Sequence, residues 1–149
     1  MTQENKELLL KDLCARLPYN VICQVEFKEN GKYNSKVMLL SGIFTDEAYF
    51  TTKDGSIYSN EYKPYLFPLS SMTDKQAKEI QEIVGNPDNA CIISKTDGLE
   101  LWLNFIDTDP TIWLDTIFEV QDYLNKNHFD YRDLIEKELA IDATGLNIY

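Results

Sequence analysis

The first part of the chain has the hydrophobic spacing of a helix. Within 4–17, four apolar residues are three or four positions apart and therefore share one helix face. These residues are Leu10, Leu13, Cys14 and Leu17. Pro18 follows them, and a residue that precedes proline tends to leave the helical conformation. The spacing predicts a helix over 4–17 with Cys14 on its buried face.

From Val21 onward the apolar residues recur at every second position, which is the spacing of a strand with one buried face. The inward positions are Val21, Cys23, Val25 and Phe27. Asn30 and Gly31 tolerate the positive φ of a tight hairpin turn. A second strand is predicted over 36–44, where Gly42 marks a bulge or bend.

A hairpin and an aromatic stretch follow these strands. The segments 48–52 and 56–59 are predicted to pair around the turn residues 53–55. Pro64 and Pro68 then stand four apart among aromatic residues. Because proline has no N–H to donate to a sheet ladder, they predict an edge strand or an extended segment.

A second helix is marked by signals at both of its ends. Thr73 is placed to cap it, and Gln76 occupies the N3 position of a capping box. Gly85 and Pro87 are placed to end it. The predicted buried residues are Ala77, Ile80 and Val84.

A further hairpin and a longer helix are predicted after it. The hairpin joins 90–95 to 99–105, and Asp109 caps a helix that begins at Pro110. The apolar residues along this helix are Trp113, Leu114, Ile117, Phe118, Val120 and Leu124. Because they cover more than one narrow stripe, the helix is predicted to pack on two sides.

The only histidine, His128, lies in a predicted corner between the long helix and a last one. Asp130 is placed to cap the last helix, and Phe129 and Leu134 occupy the two positions of a hydrophobic staple. His128 follows the C-terminal end of the long helix, where the helix carbonyls stabilise an imidazolium. This placement favours a structural role for His128 over a catalytic one.

The order of these elements predicts the α+β class. Most strands follow one another too closely for parallel crossovers, which need a dozen or more residues. We therefore expect an antiparallel, curled or barrel-like sheet of about six strands with about four helices. No linker divides the sequence, so 1–149 is expected to form a single globular domain.

The net charge of −11 is distributed unevenly. Residues 97–149 hold twelve acids and three bases, a net charge of −9, whereas 1–96 hold thirteen acids and eleven bases, a net charge of −2. Because phosphate backbones bind cations, the acidic third argues against direct nucleic-acid binding. An acidic surface could instead meet a basic protein partner.

The cysteines and the hydropathy indicate a cytoplasmic protein. Cys14, Cys23 and Cys91 are odd in number and widely spaced, which is typical of reduced thiols. The N-terminal residues carry acids and no long apolar run, unlike a signal peptide. No segment approaches the ~20 apolar residues of a membrane span, so no membrane partner is expected.

No motif for a cofactor, a metal or a nucleophile is present in the sequence. One histidine and three scattered cysteines do not make a zinc site of standard spacing. The glycines form neither a phosphate-binding loop nor a dinucleotide fingerprint, and no G-x-S-x-G elbow occurs. No cofactor, metal ligand or catalytic residue is therefore predicted.

Two groups of residues form a candidate interaction surface. The first is aromatic and basic, and consists of Tyr58, Tyr62, Lys63 and Tyr65. Such a group is typical of protein-interaction surfaces and of platforms for single-stranded nucleic acid, although core packing would also explain it. The second is acidic, at helical spacing, and is either a docking stripe or the solvated back of an amphipathic helix. It consists of Asp115, Glu119 and Asp122.

Three stretches, LLLKDLCARLPY, KPYLFPLSSMT and NHFDYRDLIEKELA, resemble a group of short uncharacterised proteins of gut Bacteroidales. Proteins of this group are often encoded in phage-related or mobile gene neighbourhoods. The similarity covers both ends and the middle of the chain and departs in the turns and in 86–108. The group has no assigned activity, so the resemblance implies an accessory protein and transfers no catalytic residue.

Three hypotheses of function follow from the sequence. The first is a non-enzymatic interaction or accessory module that binds an unknown protein partner. The second is an acidic mimic of nucleic acid that inhibits a basic DNA-binding protein, with an acidic ridge from Asp115 through Glu138. The third is a hydrolase that uses carboxylates, or His128 as its general base in a pocket. The missing catalytic motifs and the uneven charge favour the first.

Overall fold

The computed structural model describes residues 1–44, 47–52, 55–85, 90–94, 98–102 and 110–149. Their contacts group into two compact units. Unit 1 comprises Met1–Leu66 and Arg132–Tyr149, and unit 2 comprises Phe67–Tyr131. The expectation of a single globular domain stays a prediction.

The chain belongs to the α+β class, with a mostly antiparallel mixed sheet and three α-helices among the described residues, rather than the predicted four or so. In chain order the elements are α1 (Gln3–Arg16), β1 (Ile22–Glu29), β2 (Lys32–Phe44), β3 (Glu47–Thr52), β4 (Gly55–Ser59), β5 (Tyr62–Pro68), α2 (Asp74–Val84), β6 (Ala90–Ser94), β7 (Gly98–Trp102), α3 (Pro110–Lys126), β8 (Phe129–Asp130) and β9 (Ile141–Asp142).

The sheet of unit 1 is open. Its strand order is β4-β3-β2-β1-β5, and β9 pairs with β5. In the part of unit 1 that the structure describes, no ladder joins β4 to the opposite end of this order. The predicted curled or barrel-like closure is therefore wrong. A closed barrel requires every strand to pair continuously with both of its neighbours. Here the β1–β5 ladder is short, since β5 pairs with β1 only from Tyr62 to Pro64.

β5 lies inside the strand order, not at the predicted edge. Pro64 stands opposite Cys23 of β1, and Tyr65 stands opposite Ile141 of β9. The β5–β9 pairing is parallel, and so is the pairing of the last two residues of β5 with β8 in unit 2. The predicted antiparallel pairing is thus confirmed for most of the strands, and the pairings with β8 and β9 are the exceptions. The prediction was based on the short connections between strands that follow one another in sequence. β8 and β9 are far from β5 in sequence, so this argument did not apply to them.

The turn and the bulge that the sequence predicts are both confirmed. Asn30 and Gly31 adopt φ values of 50° and 78° between β1 and β2. The β2–β3 register shifts between Leu40 and Gly42. A side chain on Gly42 would begin 3.3 Å from the ring of Phe44, so glycine leaves the space that this ring occupies.

Helix α1 buries Leu13 as predicted, but its buried face is rotated from the predicted one. Cys14 and Leu10 are exposed, whereas Asp12 and Arg16 are fully buried beside Leu13. The hydrophobic pattern did not predict the burial of these two residues, because it counts only apolar side chains as buried. Each satisfies the other by an ion pair, which makes their burial possible. The buried apolar core of unit 1 consists of Leu9, Leu13, Val21, Cys23, Val25, Met38, Leu40, Ala48, Phe50, Leu66, Leu134, Leu139 and Ala140.

Unit 2 is built around the packing of α2 against α3. The predicted capping box is confirmed, because Thr73 accepts from the Gln76 N–H and the Gln76 side chain accepts from the Thr73 N–H. The helix ends at Gly85, as predicted, with a φ of 73°. The hairpin of β6 and β7 also forms. The buried apolar core of unit 2 consists of Met72, Ile80, Val84, Val120, Leu124 and Phe129.

Helix α3 begins at Pro110 as predicted, but it does not bury both of its predicted sides. Leu114 and Phe118 are 56% and 59% exposed. The buried contacts toward α2 are made instead by Val120 and Leu124. The predicted cap Asp109, the turn residues 53–54, Pro87 and Cys91 lie outside the residues whose side chains the structure describes.

The predicted last helix after Asp130 is absent. Asp130 belongs to β8, and the residues that follow form turns up to β9. Asp133 and Glu138 adopt left-handed φ values of 57° and 58°. Because one left-handed residue already interrupts helical hydrogen bonding, the apolar spacing of this segment could not produce a continuous helix.

Candidate functional site

Unit 1 has a cleft made of two hollows of about 380 and 510 Å³ that share part of their lining. Volumes in this range are typical of ligand sites. The walls come from α1, β1, the turn between β4 and β5, and the segment 137–139. Both hollows are lined by Met1, Leu9, Asn60, Glu61 and Tyr62.

The floor of this cleft is apolar. Leu9 and Leu139 are buried in the core of unit 1, and Tyr62 packs at its margin. The Tyr62 ring lies 5.2 Å from the ring of Phe50, centroid to centroid. Burial raises the pKa of the Tyr62 hydroxyl above its ordinary value, with smaller contributions from Cys23 and Cys14. Tyr62 therefore offers an aromatic surface and a neutral hydroxyl at physiological pH.

Charged residues of both signs line the first hollow. Glu26, Glu61 and Glu138 supply carboxylates, whereas Lys63 and Lys137 supply ammonium groups. All five are exposed to solvent. Asn5, Gln24 and Asn60 add amide groups that both donate and accept hydrogen bonds. The rim can thus pair with charges of either sign on an occupant.

A buried serine fixes the acidic side of the cleft. The Ser59 hydroxyl donates to the carbonyl of Glu26 over 2.7 Å and accepts from the N–H of Glu61 over 3.0 Å. The N–H of Glu26 in turn donates to the carbonyl of Glu61 over 2.8 Å. These bonds hold the backbones of Glu26 and Glu61 together, so this wall is preorganised.

The segment 137–139, which also lines the cleft, has an unusual backbone conformation. Glu138 has a φ of 58°, which a residue with a branched or long side chain adopts at a cost of about 1–2 kcal/mol. The turn is held by bonds from the N–H of Glu138 to the carbonyl of Ile135 and from that of Leu139 to Leu134. Such outliers concentrate at functional sites. Here the turn brings Lys137, Glu138 and Leu139 to the cleft.

The aromatic group predicted from the sequence is divided by the structure. Tyr62 and Lys63 both line the first hollow of the cleft. Tyr65 is buried, and its hydroxyl donates to the Gln24 side chain over 3.2 Å. Its carbonyl accepts from the Tyr149 hydroxyl over 2.8 Å. Tyr65 therefore supports the cleft residue Gln24 without lining either hollow.

Tyr58 belongs to a different aromatic cluster, on the face of the sheet opposite the core. Its ring is 4.9 Å from that of Tyr49 and 6.0 Å from that of Phe44. Tyr58 is 57% exposed. Phe44 reaches this cluster by lying over Gly42. The structure does not bring Tyr58 together with Tyr62 and Lys63.

The acidic group predicted on α3 is exposed in unit 2. Asp115, Glu119 and Asp122 follow one another at positions i, i+4 and i+7 and are all solvent-accessible. Leu114 and Phe118 lie beside them and are also exposed. The predicted solvated face of the helix thus carries large apolar side chains as well as acids.

Sequence reasoning missed a buried ion cluster in unit 1. Asp12 Oδ2 accepts from Arg16 Nε over 2.7 Å, and Asp12 Oδ1 accepts from a terminal Arg16 nitrogen over 3.1 Å. Arg132 Nε lies 3.3 Å from the same Oδ1. The Asp12 and Arg16 side chains have no exposed surface. This cluster ties α1 to the chain beyond β8 and is closed to ligands, so its role is structural.

His128 is buried just after the end of α3. The predicted corner between two helices is wrong, because the chain continues from His128 into β8 and not into a helix. It has a φ of 58°, and its carbonyl accepts from the N–H of Phe67 over 2.9 Å. Neither hollow of the cleft is lined by His128. Its visible contribution is to end α3 and to pair with the end of β5.

No protein-family model, curated protein or solved structure matches the chain. Among the parts of the chain that the structure covers, no helix has the length and apolar character needed to cross a membrane. Over those same parts, no three histidine, cysteine or acidic side chains come together as a metal site would require. The proposals below therefore depend on the geometry and chemistry of the residues themselves.

Proposed function

We propose that the protein is a non-enzymatic interaction module whose unit 1 cleft holds a peptide segment of a protein partner. The supporting observation is the cleft itself, which combines an apolar floor at Leu9, Tyr62 and Leu139 with a rim of both charges. Pockets of this composition bind through an apolar anchor, while the polar groups set its orientation. The paired signs of the rim favour a segment whose charged side chains flank that anchor.

The walls of the cleft also favour recognition over chemistry. The bonds of Ser59 fix the acidic wall before any partner arrives, which lowers the entropy lost on binding. Tyr62 contributes a large and rigid surface, and tyrosine is enriched where proteins meet. The exposed Lys63 and Glu138 contribute charge without being needed for the core.

A peptide-display selection against the purified full-length protein tests this proposal. We expect enriched peptides to share an apolar residue flanked by charged ones. Their affinity, measured by fluorescence anisotropy, should fall about tenfold or more in a Lys63→Glu, Glu138→Lys double variant. Both side chains are exposed, so the double variant should fold.

The matched control reverses a charge elsewhere in unit 1. Lys28→Glu changes an exposed lysine of β1 that lines neither hollow. We expect it to leave the affinity of the selected peptides unchanged. Peptides that bind the cleft variant as tightly as the original protein, or a selection that enriches no shared pattern, would contradict the proposal.

The acidic mimic remains an alternative proposal, supported by the exposure of Asp115, Glu119 and Asp122. The acidic ridge predicted from Asp115 through Glu138 included a last helix, and that helix does not form. Asp133, which belongs to the predicted ridge, lies 3.6 Å from the Lys137 ammonium group. A mimic should displace DNA from a basic DNA-binding protein, and competition in an electrophoretic shift assay tests this. The hydrolase alternative would use carboxylates, or His128 as its general base, and His128 is buried and lines neither hollow of the cleft.

A further inference from the structure

Helix α3 leaves large apolar side chains in solvent on one side. Leu114, Ile117 and Phe118 are 56%, 41% and 59% exposed. Their spacing of three and four residues places them on one side of the helix. The buried contacts of α3 are made by Val120 and Leu124, which are 3% and 1% exposed. At 3.6 residues per turn, Leu114 and Phe118 lie between this buried side and the acidic stripe.

The acidic stripe of Asp115, Glu119 and Asp122 thus borders the exposed apolar residues directly. The net charge of unit 2 as a whole has the same sign. Unit 2 carries twelve acids and only four bases, a net charge of −8, whereas unit 1 carries thirteen acids and ten bases, a net charge of −3. Exposed apolar patches rimmed by polar residues mark sites of protein interaction. Here the rim also fixes the sign of the charge on the partner.

We infer that this face of α3 is a second binding site, which takes a basic amphipathic helix of a protein partner. The apolar side of such a helix covers Leu114, Ile117 and Phe118, and its lysines or arginines pair with the three acids beside them. The charge of unit 2 accelerates the encounter, because opposite charges steer diffusion. The site is separate from the unit 1 cleft and does not depend on the function proposed for it.

Two other occupants fit the charge less well. A second copy of this chain would bring another net charge of −11 to the same surface, and the copies would repel. An anionic lipid surface would be repelled by the acidic stripe in the same way. A basic amphipathic helix fits both the exposed apolar side chains and the acidic stripe of this face.

The experiment uses two synthetic helical peptides of about 18 residues, or five turns. Both have leucines at positions i, i+3, i+4 and i+7, and the remaining positions are mainly lysine in one and glutamate in the other. Fluorescence anisotropy with the full-length protein should show binding of the lysine peptide only. The affinity should fall as salt rises, because exposed charges are screened.

Variants assign that binding to α3. Leu114→Ser with Phe118→Ser should lower the affinity about tenfold or more. Leu146→Ser, which changes a leucine of unit 1 that is 44% exposed, should leave it unchanged. The Lys63→Glu, Glu138→Lys cleft variant should also retain full affinity for the lysine peptide. Failure of the cleft proposal and failure of this one are therefore distinguishable.

Several outcomes would overturn the inference. Equal binding of the glutamate peptide would show indiscriminate apolar adhesion. Absence of binding by the lysine peptide would remove the basic partner. A dimer in sedimentation that Phe118→Ser dissociates would identify a second copy as the occupant. A melting temperature that Phe118→Ser lowers as much as Leu124→Ala does would show that the face is covered within the chain.

Discussion

Unit 1 and unit 2 place their charged and apolar side chains in opposite ways. Unit 1 buries the charges of Asp12 and Arg16 completely and has an apolar core under a polar cleft. Unit 2 keeps its acidic stripe in solvent and also exposes Leu114 and Phe118. A buried charge requires a partner, whereas an exposed apolar patch is stable without one but remains available for binding. The first arrangement contributes to stability, and the second forms the surface at which we propose binding.

The difference in charge between the units gives the same division. Unit 2 has the larger net negative charge in fewer residues, −8 against −3. A large net negative charge destabilises a compact state through self-repulsion, and the same charge attracts basic partners. Unit 1 is nearly balanced, and its cleft carries both signs. We therefore expect salt to affect binding at α3 more than binding at the cleft.

The largest effect on stability is expected from Asp12→Ala in unit 1. Removal of the carboxylate leaves Arg16 buried without its main ion pair, which costs about 3–5 kcal/mol of the free energy of unfolding. Urea denaturation followed by circular dichroism measures this. Asp115→Ala, an exposed acid of unit 2, is the matched control and should change the free energy by about 0.5 kcal/mol or less. Equal losses of unfolding free energy in the two variants would contradict the proposed difference between buried charges in unit 1 and exposed charges in unit 2.

A second comparison uses two leucines of the same helix. Leu124→Ala should lower the free energy of unfolding by about 2–5 kcal/mol, because it leaves a cavity between α2 and α3. Leu114→Ala should change it by about 0.5 kcal/mol or less, because this side chain is 56% exposed. Both tryptophans, Trp102 and Trp113, belong to unit 2, so their fluorescence follows its unfolding. A large loss in Leu114→Ala would mean that the exposed face is needed for folding.

The smallest effect concerns the pH dependence of unit 2. The Tyr123 hydroxyl donates to the Glu79 carboxylate over 2.6 Å, and this bond, helped by Lys75, lowers the pKa of Glu79 below its ordinary value of 4.5. A lowered pKa in the folded state adds stability above the unfolded pKa, and that stability is lost as the pH falls through the folded pKa. Tyr123→Phe should therefore destabilise unit 2 at neutral pH, and the difference should shrink below about pH 4.5.

Thermal unfolding at a series of pH values tests this dependence. Glu79→Gln is the control, because it removes the titrating group and leaves a side chain of similar size. In that background Tyr123→Phe should have the same effect at every pH. A difference between original protein and Tyr123→Phe that stays constant in acid would show that the bond does not act through the carboxylate.

Local signals predicted the elements well where partners are close in sequence. Thr73 and Gln76 are three residues apart and satisfy each other's backbone groups, so their capping box needs no further context. Asn30 and Gly31 form their turn for the same reason. Gly42 marks the bulge because a side chain there would meet the ring of Phe44, two residues away. Each of these features depends on residues at most three positions apart, so the local sequence is sufficient to predict it.

The cleft could be predicted only in part. Tyr62 and Lys63 stood out as aromatic and basic neighbours, and they do line it. Lys137 and Glu138 gave no signal, because their segment has the spacing of a helix and forms turns instead. Asn60 and Glu61 lie between β4 and β5 and belong to no motif of the sequence. Nothing local shows that these distant segments meet.

The sequence by itself determined the class of the fold, the hairpins, the capping box of α2 and the uneven charge, because each depends on composition or on contacts within a few residues. The tertiary structure decided which face of α1 is buried, since Asp12 is stabilised inside by Arg132, which lies far along the chain. It also decided that β8 and β9 pair with β5 where a last helix was expected. Burial and pairing depend on which remote segments meet, and hydrophobic spacing does not contain that information.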